Sequence, residues 1–159
     1  MEYKTNVMRI LDRAGAKYTP HSYVGSGAVS GACAAAAMKK DPAGVFKTLV
    51  TVGKSKKHYV FVIPVREELD LKRAAASVGE KSVEMIKQKE LLPLTGYIHG
   101  GCSPIGMKKF FKTTLHESAK DLETITFSAG KIGYMVEMSA EELKKVIEYG
   151  FADITVSAE

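Results

Sequence analysis

The sequence predicts a mixed α/β fold with a largely antiparallel sheet, and three patterns carry that expectation. Residues 45–52 and 59–65 are near-continuous apolar runs separated by the polar Gly53-Lys54-Ser55-Lys56-Lys57, which reads as a hairpin of strands covered on both faces. Residues 124–128 and 132–138 repeat the arrangement about Ala129-Gly130-Lys131. Short helical patterns are interspersed among these hairpins, an order that suits antiparallel pairing better than a parallel sheet.

Taken in order, Thr5 is a helix N-cap, Val7, Ile10, Leu11 and Ala14 form one apolar stripe, and Gly15 ends the helix. Residues 17–23 read as extended, with Pro20 marking an edge strand. Gly25, Gly27 and Gly31 make a loose connection. Residues 32–40 are alanine-rich and helical, and Asp41-Pro42 stops them. After the first hairpin, Asp70 caps a helix through Val78 that ends at Gly79. Residues 83–86 read as a short strand, 87–92 as a short helix before Pro93, 110–115 as a strand and 116–122 as a turn or short helix. Ser139-Ala140-Glu141-Glu142 is a capping box, with Leu143, Val146 and Ile147 as the buried stripe of a last helix that Gly150 terminates. Residues 152–156 close the chain as a strand.

A chain of 159 residues, 45% hydrophobic and 26% charged, has the size and balance of one globular domain. No run approaches the ~20 apolar residues of a membrane span. The first residues lack the basic-then-apolar order of a signal peptide, so a cytoplasmic location is expected. Cys33 and Cys102 are the two cysteines, and no Cys/His spacing suggests a metal site or any other cofactor. The net charge of +5, clustered as in Lys54-Ser55-Lys56-Lys57 and Lys108-Lys109, favours polyanionic partners.

The stretch richest in possible chemistry is Thr95-Gly96-Tyr97-Ile98-His99-Gly100-Gly101-Cys102-Ser103-Pro104-Ile105-Gly106. It reads either as a glycine-rich turn or as a loop whose N–H groups converge on an anion or oxyanion. Lys47 interrupts an apolar strand. Its ammonium must either snorkel to solvent or point into a cavity where an anionic or carbonyl ligand meets it. Cys102 could be a nucleophile only with a lowered pKa and a base in reach, and a packed loop thiol is the alternative. Cys33 reads as packing, and His21, His58 and His116 as structural or surface residues.

Several of these stretches together resemble one family. Tyr23, Val45-Phe46-Lys47-Thr48-Leu49, Leu69-Asp70-Leu71-Lys72, Val83-Glu84-Met85, Gly96-Tyr97 through Gly106-Met107-Lys108-Lys109, Ser128-Ala129-Gly130-Lys131-Ile132-Gly133 and Phe151-Ala152-Asp153-Ile154 look like the YbaK/EbsC-type aminoacyl-tRNA deacylases. That family is similar to the editing domain of bacterial prolyl-tRNA synthetases. The resemblance runs over nearly the whole chain, and Gly-Gly-x-Ser-Pro-x-Gly is its most specific piece. It implies one editing domain over residues 1–159, with a barrel-like mixed sheet flanked by helices. By resemblance Lys47 holds the aminoacyl-tRNA end and supports cleavage. Gly100, Gly101, Ser103 and Gly106 line the pocket, Tyr23, Phe46 and Thr48 lie near the terminal adenosine or aminoacyl group, and Ser128, Gly130 and Gly133 form a second wall. Met135 stands where cysteine-specific members carry an aspartate, which leaves the choice of amino acid open.

The implied activity is hydrolysis of mischarged aminoacyl-tRNA, Cys-tRNA(Pro) first, with water or the substrate's own thiol as the attacking group. The expected partners are tRNA and a prolyl-tRNA synthetase, with neither membrane nor DNA. A non-catalytic tRNA- or synthetase-associated module, a deacylase of different specificity and a Cys102-dependent esterase are the alternatives.

Overall fold

Thr5 and Gly15 bracket the first helix in the computed structural model, which describes residues 3–27 and 31–156. Thr5 Oγ1 accepts the Met8 N–H at 3.2 Å, and Gly15 closes α1 (Asn6–Ala14) with a left-handed φ of 68°. Val7, Met8 and Leu11 face inward from it. The chain continues through β1 (Thr19–Ser22), α2 (Gly31–Ala37), β2 (Phe46–Gly53) and β3 (His58–Pro64). Asp70 Oδ1 then caps α3 (Leu71–Val78), and Gly79 ends it as expected. β4 (Val83–Met85) and α4 (Gln88–Thr95) follow. α4 runs through Pro93 instead of stopping before it, and its end comes at Gly96, which takes φ 86°. Next come β5 (Lys112–His116), β6 (Ile125–Ser128), β7 (Tyr134–Met138), α5 (Ala140–Leu143) and β8 (Gly150–Ala152). The last helix is therefore shorter than its apolar stripe suggested, and Gly150 opens a strand instead of closing a helix.

The strands form two sheets. In the first, ordered β1-β7-β6, every pairing is antiparallel; in the second, ordered β4-β2-β3-β5-β8, β4, β2 and β3 pair antiparallel while β3-β5 and β5-β8 are parallel. A parallel bridge between Val45 and Thr126 joins the two sheets. They do not close into the barrel that the resemblance implied. Tyr23 N–H reaches the Gly133 carbonyl at 2.8 Å, so alternation turns the backbone of Pro20 and Ser22 away from β7. Pro20 thus occupies an edge position, where its missing donor leaves no ladder bond unmade.

Alternation along β2 and β3 feeds two cores. Phe46, Val50, Val60 and Val62 join α1, β6 and β7 in the larger one. Tyr59, Phe61 and Ile63 pack with Ala74 and Ala75 of α3 in the other. The glycine loop between α4 and β5 contributes Cys102 and Ile105 to the larger core, so it is anchored from within.

Candidate functional site

The bridge between the sheets fixes which side chains share a face. Val45 and Thr126 are paired, so Lys47 and Ser128, each two residues further on, project to the same side. Ser128 lies opposite Met135, and Met135 opposite His21. One continuous face therefore carries Lys47 from one sheet and Ser128, Met135 and His21 from the other. Tyr23 continues this edge and packs with Met135, Val45, Ala34 and Ala35. The small side chains of Ala34 and Ala35 let α2 settle close against Val45 and Met135.

Lys47 is partly buried and, among the described residues, has no hydrogen-bond or ion-pair partner. Burial holds its ammonium below the ordinary lysine value, and the charge of Glu68 opposes that shift. A cation withdrawn from water without a partner is poised to take an anionic or carbonyl oxygen. Met135 is buried at 6% exposure and gives that side of the face an apolar wall. Ser128 Oγ is occupied, accepting the Gly130 N–H at 3.1 Å.

Phe46 and Thr48 do not stand on this face. Alternation sends them to the opposite side of β2, where Phe46 is sealed in the larger core, so their side chains do not share the Lys47 face. The Thr48 hydroxyl is buried there without a partner among the described residues.

The glycine loop packs onto the β6–β7 turn. A Cβ on Gly101 would lie 3.2 Å from the Ile132 nitrogen, and one on Gly100 would be 3.6 Å from the Ile132 side chain. Tyr97 wedges between the two segments: Cβ atoms on Gly106 and Gly130 would each come within 2.9 Å of its ring or hydroxyl, and both glycines have positive φ. Its hydroxyl donates to the Ile105 carbonyl at 2.5 Å. Gly133, with φ 100°, makes room for Val24. In the loop itself, Gly101 N–H donates to Ile98 and Ile105 N–H to Ser103 Oγ. The N–H groups of Gly100, Cys102 and Ser103 have no acceptor among the described residues. Ser103 is fully buried, and burial pushes the Cys102 thiol up to about 12. A thiol held neutral in this way is no nucleophile. Cys33, by contrast, is exposed and not the packing residue it was expected to be.

One cluster on this face escaped sequence reasoning. Glu137 Oε1 accepts from Lys40 Nζ and His21 Nε2, each at 2.8 Å, while Oε2 accepts the Thr124 hydroxyl at 2.5 Å. The Lys40 and Thr124 hydrogen bonds, with a smaller one from His21, hold the Glu137 carboxyl at about 2. The only sequence signal was a carboxylate in an otherwise apolar strand. Among the described residues no group of His, Cys, Asp and Glu is placed to hold a metal ion.

An unpaired ammonium beside an apolar wall in a mixed α/β frame defines a class: proteins built to hold a carbonyl-bearing or anionic ligand. Comparison with known proteins narrows it. Residues 26–146 match the model of the aminoacyl-tRNA editing domain. A candidate Cys-tRNA(Pro)/Cys-tRNA(Cys) deacylase of Enterococcus faecalis, EbsC, is 42% identical over 97% of this chain and 94% of its own length. Two crystal structures share the fold. One, of a candidate trans-editing enzyme for prolyl-tRNA synthetase, has a TM-score of 0.81 at 22% identity over 98% of this chain and 100% of the other. The hypothetical protein APE2540 has a TM-score of 0.86 at 20% identity over 96% and 100%. The chain belongs to the aminoacyl-tRNA editing domain family.

Proposed function

We propose that this protein is a trans-editing deacylase that cleaves the ester of mischarged aminoacyl-tRNA, with Cys-tRNA(Pro) as its main substrate. The carrying observation is the unpartnered Lys47 ammonium on the face shared with Ser128, Met135 and Tyr23. Lys47 binds the ester end, and the exposed, unpaired amide of Gly100 stabilises the oxyanion. Gly101 serves by letting the β6–β7 turn come close, Gly106 and Gly130 by making room for Tyr97, and Gly133 by making room for Val24. The ester is already activated, so positioning and oxyanion stabilisation supply most of what the reaction needs. With Cys102 neutral and buried, the nucleophile is water or the thiol of a cysteinyl substrate. That thiol attacks the carbonyl carbon, the bond to the ribose oxygen breaks, and the ribose oxygen takes a proton.

The buried Met135, packed with Ala34, Ala35 and Val45, suits a small uncharged side chain such as that of cysteine. The 42% identity to the Enterococcus faecalis protein supports the same choice. On this reading residues 1–159 are one editing domain acting in the cytoplasm on tRNA, with prolyl-tRNA synthetase as its companion. No helix among the described residues is long and apolar enough to cross a membrane.

Deacylation of Cys-, Ala- and Pro-tRNA(Pro) by wild type and Lys47→Ala tests the reading. Wild type is expected to prefer Cys-tRNA(Pro), and the variant to lose about 100-fold or more of the rate. Unchanged rates in the variant would remove Lys47 from the mechanism. Salt-sensitive tRNA binding without cleavage of any ester would make the protein a binding module.

A further inference from the structure

Away from Lys47, a cleft of about 580 Å³ opens between α1 and the free edge of β1. Tyr3, Tyr18 and Tyr134 line it together with Lys4 and Lys17. The Tyr3 and Tyr134 rings pack against each other with centroids 4.8 Å apart and planes tilted by 32°. Lys131 Nζ lies 4.8 Å from the Tyr3 centroid and donates to its hydroxyl at 3.1 Å. Lys4 is tied to Asp12 at 2.5 Å, and Asp12 also accepts the Tyr18 hydroxyl at 2.9 Å. Lys4 and Lys17 thus line the cleft with a single carboxylate, Asp12, while Lys131 reaches its edge through Tyr3. Glu142, which accepts the Lys17 backbone N–H, is itself paired with Lys145 at 3.0 Å.

Two further features give this cleft a direction. Pro20 and Ser22 line it, and their backbone polar groups point outward from the unpaired edge of β1. His21, between them, turns its ring to Glu137 on the Lys47 face. β1 is therefore the rim between cleft and site. The volume is that of a small-molecule pocket, too narrow for a duplex. Aromatic rings beside lysines are the recurrent means of holding unpaired nucleotides, through base stacking and phosphate contacts.

We propose that this cleft binds an unpaired nucleotide of RNA, so that a single-stranded acceptor end crosses β1 with its last residue on the Lys47 face. The choice of ligand rests on the deacylase reading above. The docking partner is single-stranded RNA, held by Tyr3 and Tyr134 through its base and by Lys17 and Lys131 through its phosphates.

Fluorescence anisotropy with an uncharged RNA hairpin tests it, comparing a hairpin that carries a single-stranded 3′ overhang with the same hairpin made blunt. Tyr3→Ala is expected to weaken binding of the overhang hairpin by roughly fivefold or more. Tyr3→Phe, which keeps the ring, should retain wild-type affinity, and Lys17→Ala should weaken binding while reducing its salt dependence. The blunt hairpin should be indifferent to all three. Equal overhang affinity in wild type and Tyr3→Ala, an equal loss on both hairpins, or no RNA binding by wild type would each overturn the proposal. Tyr3 is half-exposed ahead of α1, and matched thermal melts establish that the variants fold. Because the RNA carries no ester, this result is independent of hydrolysis: a chain that cleaves nothing could still fill the cleft, and one that cleaves could leave it empty.

Discussion

Lys47 weakens the fold it belongs to. Its native pKa lies below 10.5 because burial disfavours the charged form, so the unfolded chain binds that proton more tightly. Stability is therefore lowest while Lys47 is charged, and rises as pH climbs through the window just below 10.5, where the native lysine deprotonates first. Lys47→Met should stabilise the fold near neutral pH by on the order of 1 kcal/mol, seen as a higher melting temperature, and lose activity; the gain should shrink toward pH 10. Melts at both pH values check this, and a variant less stable than wild type at pH 7 would mean the ammonium is better solvated than its burial implies. Cys102 makes the opposite case, a reactive residue type with nothing to activate it. Cys102→Ala should keep deacylation within about twofold and cost about 1 kcal/mol through the small cavity left in the core. A drop of 100-fold would reinstate the thiol as nucleophile.

At the level of elements, α2 is helical by its own alanine-rich sequence, but its place over the site is set by a distant partner. Lys39 ends it with φ 58°, and the Lys40 N–H returns to the Ala35 carbonyl at 2.9 Å, which ties Lys40 rigidly to the helix. The Lys40 ammonium then grips Glu137 on β7, so this ion pair fixes α2 over Met135 and Val45. Glu137 has its pKa lowered to about 2 from 4.5, so its contribution is present above 4.5 and fades as pH falls toward 2. Glu137→Gln should cost roughly 1–2 kcal/mol at pH 7, discounted for partial solvent screening, and the difference from wild type should vanish in melts near pH 2. This latch was invisible in the sequence because His21, Lys40, Thr124 and Glu137 meet only through the fold. α1 and α3 were readable because their caps and terminal glycines are local signals, and β2 and β3 because their apolar runs are. The facing of Phe46 was not, since a strand buried on both sides has no polar alternation to orient it. Nor was the end of the last helix: Ser139 and the stripe Leu143, Val146 and Ile147 suit a long helix, yet only residues 140–143 form one before the chain turns toward β8.

Across the whole molecule, the candidate site straddles a seam. Lys47 belongs to one sheet, and Ser128, Met135 and Tyr23 to the other or its edge, with the Val45–Thr126 bridge as the backbone link. What keeps the sheets together is the core beneath them, where Val7 and Leu11 of α1, Phe46 of β2, Val60 of β3, Phe127 of β6 and Val136 of β7 are all essentially excluded from solvent. The glycine loop adds to that core through Cys102 and Ile105, and Tyr97 pins the loop to the β6–β7 turn. A core shared in this way makes separate melting of either sheet costly, because each would expose the other's apolar face. The chain should therefore unfold in one transition. It has seven tyrosines and no tryptophan, and Tyr18, Tyr97 and Tyr134 all pack on the shared core. Tyrosine fluorescence and far-ultraviolet circular dichroism followed through a urea titration should then give coincident midpoints. If the fluorescence change came first, the sheet of β1, β7 and β6 would be a separate, weaker unit. In that case Lys47 would lose its facing wall before the fold was lost, and deacylation would fail at urea concentrations that leave β2 and β3 intact.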